Sequence, residues 1–334
     1  STLGKIEVAG PDAAEFLNRI YSNPMLKLPV GRARYGLMLR EDGVVYDDGT
    51  VSRLAEDHFF ITTTTAYAAE AMVHLEFYHQ TVWPELDVRY VSVTDQWAQM
   101  SVVGPKSRAI LQALIEDDLS DVAFPFMAAR AITLKGGLKG RLFRISFSGE
   151  LAYELAVPAG YGESVADAVM EAGREHGICA YGVEALNVMR IEKGHVAGNE
   201  INGTTTAADL GLGRMMSQKK DYIGRVLAQR PGLIDPDRPA LVGLRPLDPL
   251  ARLRAGAHML ALGAAPTTEN DEGYVTSVAF SPTLGHWIGL ALVKRGPARI
   301  GERMRAYDPV RDGDTEVELV SPVFLDPQGA RLHV

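Results

Sequence analysis

The chain contains one short phrase twice. Residues 4–17 read Gly-Lys-Ile-Glu-Val-Ala-Gly-Pro-Asp-Ala-Ala-Glu-Phe-Leu, and residues 98–111 read Ala-Gln-Met-Ser-Val-Val-Gly-Pro-Lys-Ser-Arg-Ala-Ile-Leu. Each is an alternating strand, a Gly-Pro turn and the start of an amphipathic helix. Each is followed by a tyrosine–carboxylate pair in a second strand: Tyr46-Asp47-Asp48 in the first copy, Tyr153-Glu154 in the second. A duplicated unit commonly builds one site at the seam between its copies. Here each copy is expected to bring a carboxylate, on comparable strands, to that seam.

The first copy reads as a strand at Lys5–Val8 and a helix over Asp12–Ile20, with Asp12 in its first turn. Strands follow at Arg34–Arg40 and Val44–Asp48, joined by the hairpin signal Glu41-Asp42-Gly43, then at Thr50–Leu54 and His58–Thr62. A long helix covers Thr65–Tyr78. The second copy repeats the plan, with a strand at Ala98–Val103 and a helix at Lys106–Ile115. Strands come near Arg130–Leu134, Gly140–Ser146 and Leu151–Val157, then a helix at Tyr161–His176. Val183–Gly194 is expected to be helical, with a loop over 194–206.

This order predicts an α+β fold: two related antiparallel sheets, each with helices on one face. The Pro-rich stretch Pro231–Pro239 is the expected linker. Beyond it, short strands at Ala240–Arg245, His258–Leu262, Gly273–Phe280, Trp287–Val293 and Glu316–Leu319 predict a C-terminal all-β barrel or jelly roll. The expected units are 1–95, 96–230 and 240–334, in keeping with the two or three domains that 334 residues allow.

Several function classes drop out. The net charge is −8 and no Lys/Arg cluster interleaves with aromatics, so no nucleic-acid surface is expected; Lys219-Lys220 reads as a solvated face. No apolar run approaches the ~18 residues of a membrane helix. The eight histidines are dispersed without ligand spacing, so no metal site is expected. No phosphate-binding loop, dinucleotide fingerprint or nucleophile elbow occurs. The single Cys179 excludes an internal disulfide and fits a reducing cytoplasm; it reads as a small buried apolar residue beside Ile178. The opening Ser1-Thr-Leu-Gly-Lys has no leader pattern and reads as a piece of a longer chain.

The carboxylates remain. Asp47 and Asp48 are adjacent on a strand and so point to opposite faces, which lets at most one serve an interior site. A buried carboxylate needs paired donors. The ring N–H and exocyclic amino group of a pterin form such a pair, and a second carboxylate would then sit near the ring's reactive amine.

At these residues the chain resembles the folate-binding aminomethyltransferase family, that of the glycine-cleavage T-protein. The resemblance is carried by Gly4–Leu17, Tyr35 through Asp48, Gly104-Pro105 and Ser148 through Glu154. Arg190-Ile-Glu192, Lys219 through Gly224, Thr276-Ser277 and Ser281-Pro-Thr-Leu-Gly285 carry it further. Within the family, Glu184 through Gly194 and the stretch from Ser321 to Val334 are similar to the C-terminal part of heterotetrameric sarcosine oxidase α subunits.

The resemblance implies three units in a cloverleaf around a tetrahydrofolate channel. It implies that Asp48 is the essential aspartate near the folate amines and that Glu154 grips the pterin. Tyr35 and Thr64 fall at pocket-lining positions, and Thr50 follows Asp48 on its strand. Phe147 stands where the family has a tyrosine, and Leu186 where it has an arginine. The implied function is one-carbon transfer from oxidised sarcosine, giving 5,10-methylenetetrahydrofolate and glycine, with flavin and NAD confined to other segments or subunits of a heteromeric enzyme. The alternatives are a free-standing aminomethyltransferase, a dimethylglycine-dehydrogenase-type folate domain, and a non-catalytic binding or assembly protein. The last is disfavoured because Lys193-Gly-His-Val-Ala-Gly-Asn-Glu200 lacks the cysteine of that branch.

Overall fold

Ile6 and Val8 alternate with Lys5 and Glu7, and this period-2 pattern forms the strand β1 (Gly4–Ala9). The computed structural model describes residues 3–311 and 313–333. Ser1 and Thr2 of the opening and Val334 of the C-terminal stretch therefore lie outside the described residues. After β1 come α1 (Ala13–Ile20), β2 (Arg32–Leu39), β3 (Val45–Ala55), β4 (His58–Thr63), α2 (Ala68–Phe77) and β5 (Arg89–Ser92). The five strands form an antiparallel sheet in the order β2-β3-β4-β1-β5. Phe16, Leu17 and Ile20 of α1 and Ala71 and Leu75 of α2 bury one face of it.

The second copy follows with β6 (Trp97–Val103), α3 (Ser107–Leu114), β7 (Ala129–Thr133), β8 (Lys139–Phe143), β9 (Ala152–Pro158) and α4 (Gly162–Ala172). Its sheet order, β6-β9-β8-β7, superposes by connectivity on β1-β4-β3-β2. Helices α3 and α4 cover its outer face through Ile110, Leu111, Val165 and Val169. Both repeated phrases turn at a glycine with positive φ, Gly10 at 133° and Gly104 at 112°. The duplication read from the sequence is thus a duplication of topology.

The two sheets meet on their uncovered faces. Ala33 N donates to Met127 O at 2.7 Å and Ala129 N to Gly31 O at 2.9 Å, so the edges of β2 and β7 touch as symmetric partners. Ala33, Phe60, Val93, Ala129, Phe143 and Ala156 fill the seam.

After α5 (Val183–Glu192) and the short α6 (Pro231–Ile234), six strands close the barrel. They are β10 (Pro239–Pro246), β11 (His258–Ala261), β12 (Gly273–Ser281), β13 (His286–Lys294), β14 (Arg303–Asp308) and β15 (Gly313–Val320). Their order is β10-β13-β12-β11-β14-β15. A third core joins Leu37 and Leu39 of β2 to Ile191 of α5 and to Leu241, Ala279 and Leu290 of the barrel.

Several sequence expectations need correction. The strands expected at Val44–Asp48 and Thr50–Leu54 are one strand, because Gly49 lets the neighbouring chain press in: a Cβ there would lie 1.9 Å from Thr62 O. The helix expected over Thr65–Tyr78 is divided into a 3₁₀ turn (Thr65–Tyr67), α2 and a π turn (Tyr78–Val82). Strand β14 was not anticipated; its buried alternate positions are Met304, Ala306 and Asp308, so it offers only two apolar residues between polar neighbours. Cys179 is exposed rather than buried, since the link between α4 and α5 runs over the surface. Lys220 is no solvated lysine: its Nζ donates to the carbonyls of Asn18 and Tyr21 at the end of α1, and burial lowers its pKa to about 8.

One buried network ties α5 and its loop to the barrel. Glu200, wholly buried, accepts from Arg190 at 2.9 Å, from Thr276 at 2.5 Å and from Ser277 at 2.6 Å. Arg190 also donates to Ser277 at 2.7 Å. Removing one partner of such a buried pair leaves a desolvated charge, so Glu200→Ala is expected to destabilise the protein by roughly 3–5 kcal/mol in denaturant unfolding. A loss below ~1 kcal/mol would contradict this role.

Candidate functional site

The inward face of the first sheet carries a polar row. The register pairs Tyr35 with Thr50, Thr50 lies opposite Thr62, and Thr62 pairs with Lys5. These four side chains therefore share one face across four strands. Asp48, two residues before Thr50, lies on the same face. In the facing sheet Glu154 pairs with Ser101 of β6 and Phe143 of β8, which gives it the inward face, while its neighbours Tyr153 and Leu155 enter the helix-covered core.

Asp48 is almost fully buried. Tyr35 Oη donates to Asp48 Oδ2 at 2.5 Å, whereas Asp48 Oδ1 has no hydrogen-bond partner. Asn23 holds Tyr35 from behind: its Nδ2 donates to Tyr35 O at 2.7 Å, and its own Oδ1 is also unpartnered. Burial raises the Asp48 pKa above the usual aspartate value, and the Tyr35 hydrogen bond opposes that rise. The same burial and the Asp48 charge push the Tyr35 phenol well above its ordinary value, so it stays a donor. Thr50 is engaged with its neighbour, Oγ1 to Oγ1 of Thr62 at 2.8 Å.

Asp47 points the other way, as strand alternation requires, yet it too is buried. It lies on the helix-covered face, where its strand partner Met38 enters the first core. Thr64 Oγ1 donates to it at 2.8 Å and Thr64 N at 3.2 Å. Thr64, expected to line the pocket with Tyr35, thus serves Asp47 on the opposite face. Burial first, and then the Asp48 charge, raise the Asp47 pKa to about 7. Tyr21 Oη, buried nearby without a partner, is shifted up by burial and by both aspartates.

Glu154 accepts a hydrogen bond from Gln99 Nε2 and is influenced by Lys5 across the seam. Burial raises its pKa above the usual glutamate value. Tyr181, in the segment before α5, bonds Ser101 and approaches Glu154. The two carboxylates do not occupy comparable strands, contrary to the reading from the repeat. Asp48 is on β3, whose counterpart is β8, whereas Glu154 is on β9, the counterpart of β4, and takes the place that Phe60 has there.

Phe147 lies at the rim, 41% exposed, with its ring stacked on His195 at 5.6 Å and its carbonyl at 2.9 Å from His195 Nδ1. Leu186 is half-buried in α5, so that position supplies no cation.

Tyr35, Asp48, Thr50 and Glu154 are therefore gathered on facing surfaces, Thr64 is not among them, and Phe147 stays at the edge. Lys5, Gln99, Asn23 and Tyr181 were missed, as was the burial of Asp47 on the opposite face. Lys5 and Gln99 carried a signal, because they are the second residue of each repeated phrase; Tyr181 carried none. Among the described residues no cluster of histidine, cysteine and carboxylates could hold a metal ion, and no helix is long and apolar enough to cross a membrane.

Asp47 has a consequence for stability. An unfolded aspartate releases its proton near pH 4, whereas folded Asp47 keeps it to about pH 7. Between these values the folded chain binds more protons than the unfolded one, so stability falls as pH rises from about 4 to about 7. Asp47→Asn, which keeps an acceptor for Thr64, is expected to flatten this dependence. The unfolding constant of the natural protein should rise about tenfold or more, relative to the variant, between pH 5 and pH 8. Parallel urea titrations of the two proteins that stay superposable across this range would refute it.

Residues 1–220 match the family model of the GCVT N-terminal domain, and residues 240–326 that of the glycine cleavage T-protein C-terminal barrel domain. The chain is 63% identical to the sarcosine oxidase subunit alpha of Rhizobium meliloti over 336 aligned residues, covering 100% of this chain and 34% of that protein. It thus spans about a third of the length of that relative. It is 32% identical to the aminomethyltransferase of Saccharopolyspora erythraea, covering 96% of this chain and 84% of that enzyme. The crystal structure of the glycine cleavage system aminomethyltransferase T from Bartonella henselae shares the fold, with a TM-score of 0.81 at 23% identity over 98% of this chain and 85% of that one. The two sheet units and the closed barrel are those of this fold, and the chain belongs to the glycine-cleavage T-protein family of aminomethyltransferases.

Proposed function

We propose that this chain is a tetrahydrofolate-binding one-carbon-transfer module of a sarcosine-oxidising enzyme. On this reading it takes the methylene of oxidised sarcosine and yields 5,10-methylenetetrahydrofolate and glycine. The observation that carries it is the half-satisfied Asp48: one oxygen is fixed by Tyr35 and the other is buried with no partner. A buried carboxylate oxygen without a donor is costly, and a secondary amine N–H of a ligand would satisfy it. Across the seam, Glu154 offers the second acceptor, matching the paired donors on a pterin edge. The length of chain aligned with a sarcosine oxidase α subunit supports the choice of amine.

Tetrahydrofolate supplies the two amines that capture the one-carbon unit. Tyr35 holds the Asp48 carboxylate in one orientation, and Asp48 orients the attacking amine and offsets the positive charge that grows on it. Burial makes Asp48 more basic than a solvated aspartate, which suits it to accept the proton this amine sheds. Residues 1–95 and 96–230 act as the two halves of the clasp, and 240–334 as the barrel that braces them. Thr50 and Phe147 line the channel in this reading, while Thr64 acts only through Asp47. Flavin and NAD chemistry belongs to other segments or subunits of a heteromeric enzyme, and the exposed Cys179 accords with a reducing cytoplasm.

The alignment with 84% of a free-standing aminomethyltransferase supports a second reading, in which the chain acts without an oxidase. Leu186 speaks against it, because it removes the arginine expected in such enzymes.

Anaerobic calorimetric titration with tetrahydrofolate tests the proposal. The natural protein is expected to bind, Glu154→Gln to bind at least about tenfold more weakly, and Asp48→Asn to bind within a few-fold. In the assembled enzyme, Asp48→Asn should lose methylenetetrahydrofolate formation by about a hundredfold or more. Unchanged methylene transfer in that variant would end the case for Asp48.

A further inference from the structure

The second residues of the two repeated phrases, Lys5 and Gln99, are topological equivalents, since β1 and β6 hold the same place in their sheets. They lie on opposite sides of the seam, on the inward faces of β1 and β6. Gln99 Nε2 donates to Glu154, and the Lys5 and Glu154 charges act on each other. Lys5 is 1% exposed, a burial that lysine rarely tolerates without a compensating charge. Its Nζ donates to Leu3 O at 3.0 Å, at the start of its own strand. Its β-carbon is fixed on the inward face by the pairing of Lys5 with Thr62, in the row that runs to Tyr35.

The chemistry of a pterin gives this placement a use. If Glu154 pairs with the exocyclic amino group and the adjacent ring N–H, the next atom along that edge is the 4-oxo oxygen, an acceptor. The side chain beside Glu154 must then present a donor there. We propose that Lys5 is a ligand-binding residue that donates to the 4-oxo group of the pterin, so that Lys5 and Glu154 together read the acceptor–donor–donor order of that edge. This rests on the folate reading and deepens it. An ammonium flanking a carboxylate selects a 4-oxo pterin over a 4-amino one, because a 4-amino group would turn a donor against a donor. The duplication thus divided the labour: the position that became a neutral donor to Glu154 in one copy became a cationic donor to the ligand in the other.

Titration of the full-length protein and its Lys5→Met and Lys5→Arg variants with two stable probes tests this. The probes are 5-formyltetrahydrofolate, which has the 4-oxo group, and methotrexate, which has a 4-amino group. The natural protein is expected to favour the 4-oxo probe, and Lys5→Met to lose at least about tenfold in affinity for it while holding or gaining affinity for the 4-amino probe. Lys5→Arg should keep most of the preference. Equal weakening towards both probes in Lys5→Met, with a lowered unfolding temperature, would make Lys5 a structural counterion to Glu154 and overturn the inference. Unchanged affinities for both would overturn it as well. Failure of the natural protein to bind either probe or tetrahydrofolate would instead remove the folate reading on which it rests.

Discussion

Arg141 of β8 bridges the two sheets. Its guanidinium lies 4.1 Å from the centre of the Trp97 ring and 5.0 Å from that of Phe60, and it donates to Glu7 of β1 at 2.7 Å. Beside it Phe60 and Phe143 stack at 5.3 Å. A half-buried cation between two aromatic faces and a carboxylate joins packing to charge, and it does so between units that helices cover only on their outer sides. With this contact the inward faces are held together at one end and left polar at the other. The seam is apolar where Phe60 and Phe143 meet and hydrophilic where Tyr35, Asp48 and Glu154 face it.

This division also accounts for the electrostatics. Asp47, Asp48 and Glu154 are all pushed up by burial, and each has a different hydrogen-bond donor: Thr64 for Asp47, Tyr35 for Asp48, Gln99 for Glu154. Among these three carboxylates Asp48 has a buried oxygen, Oδ1, without a hydrogen-bond partner among the described residues. Most buried polar groups in folded proteins find a partner, so an oxygen left without one calls for an explanation, and a ligand donor is the one proposed for Asp48. The Arg190–Glu200 network is the contrast, a buried pair whose acceptor oxygens are taken by hydroxyls and amides.

The repeat was legible because strand and helix periods are local. Ile6 and Val8 alternate, Phe16, Leu17 and Ile20 line one helical stripe, and the Gly-Pro turns mark the junctions. Asp48 and Glu154 were legible as carboxylates in strands, and their adjacency to Tyr46 and Tyr153 drew attention to both. The inference that they sit on matching strands failed, because the sequence does not reveal that β9 pairs with β6 whereas β3 is one strand removed from β1. Strand β14 escaped for a related reason: only closure of the barrel tells Met304 and Ala306 apart from a surface turn.

By itself the sequence determined most of the element types, the duplication, the family and two of the charged residues of the candidate site. These follow from periods of 2 and 3.6, from turn chemistry and from side-chain identity, all of which act over a few neighbouring residues. Tertiary structure alone decided that Asp47 is buried with Thr64, that Lys220 caps α1, that Cys179 is exposed, that Gln99 bonds Glu154 and that Lys5 is buried. Each of these depends on which strands and helices come to lie against one another. Burial and charge coupling are properties of that arrangement, and no stretch of sequence encodes them locally.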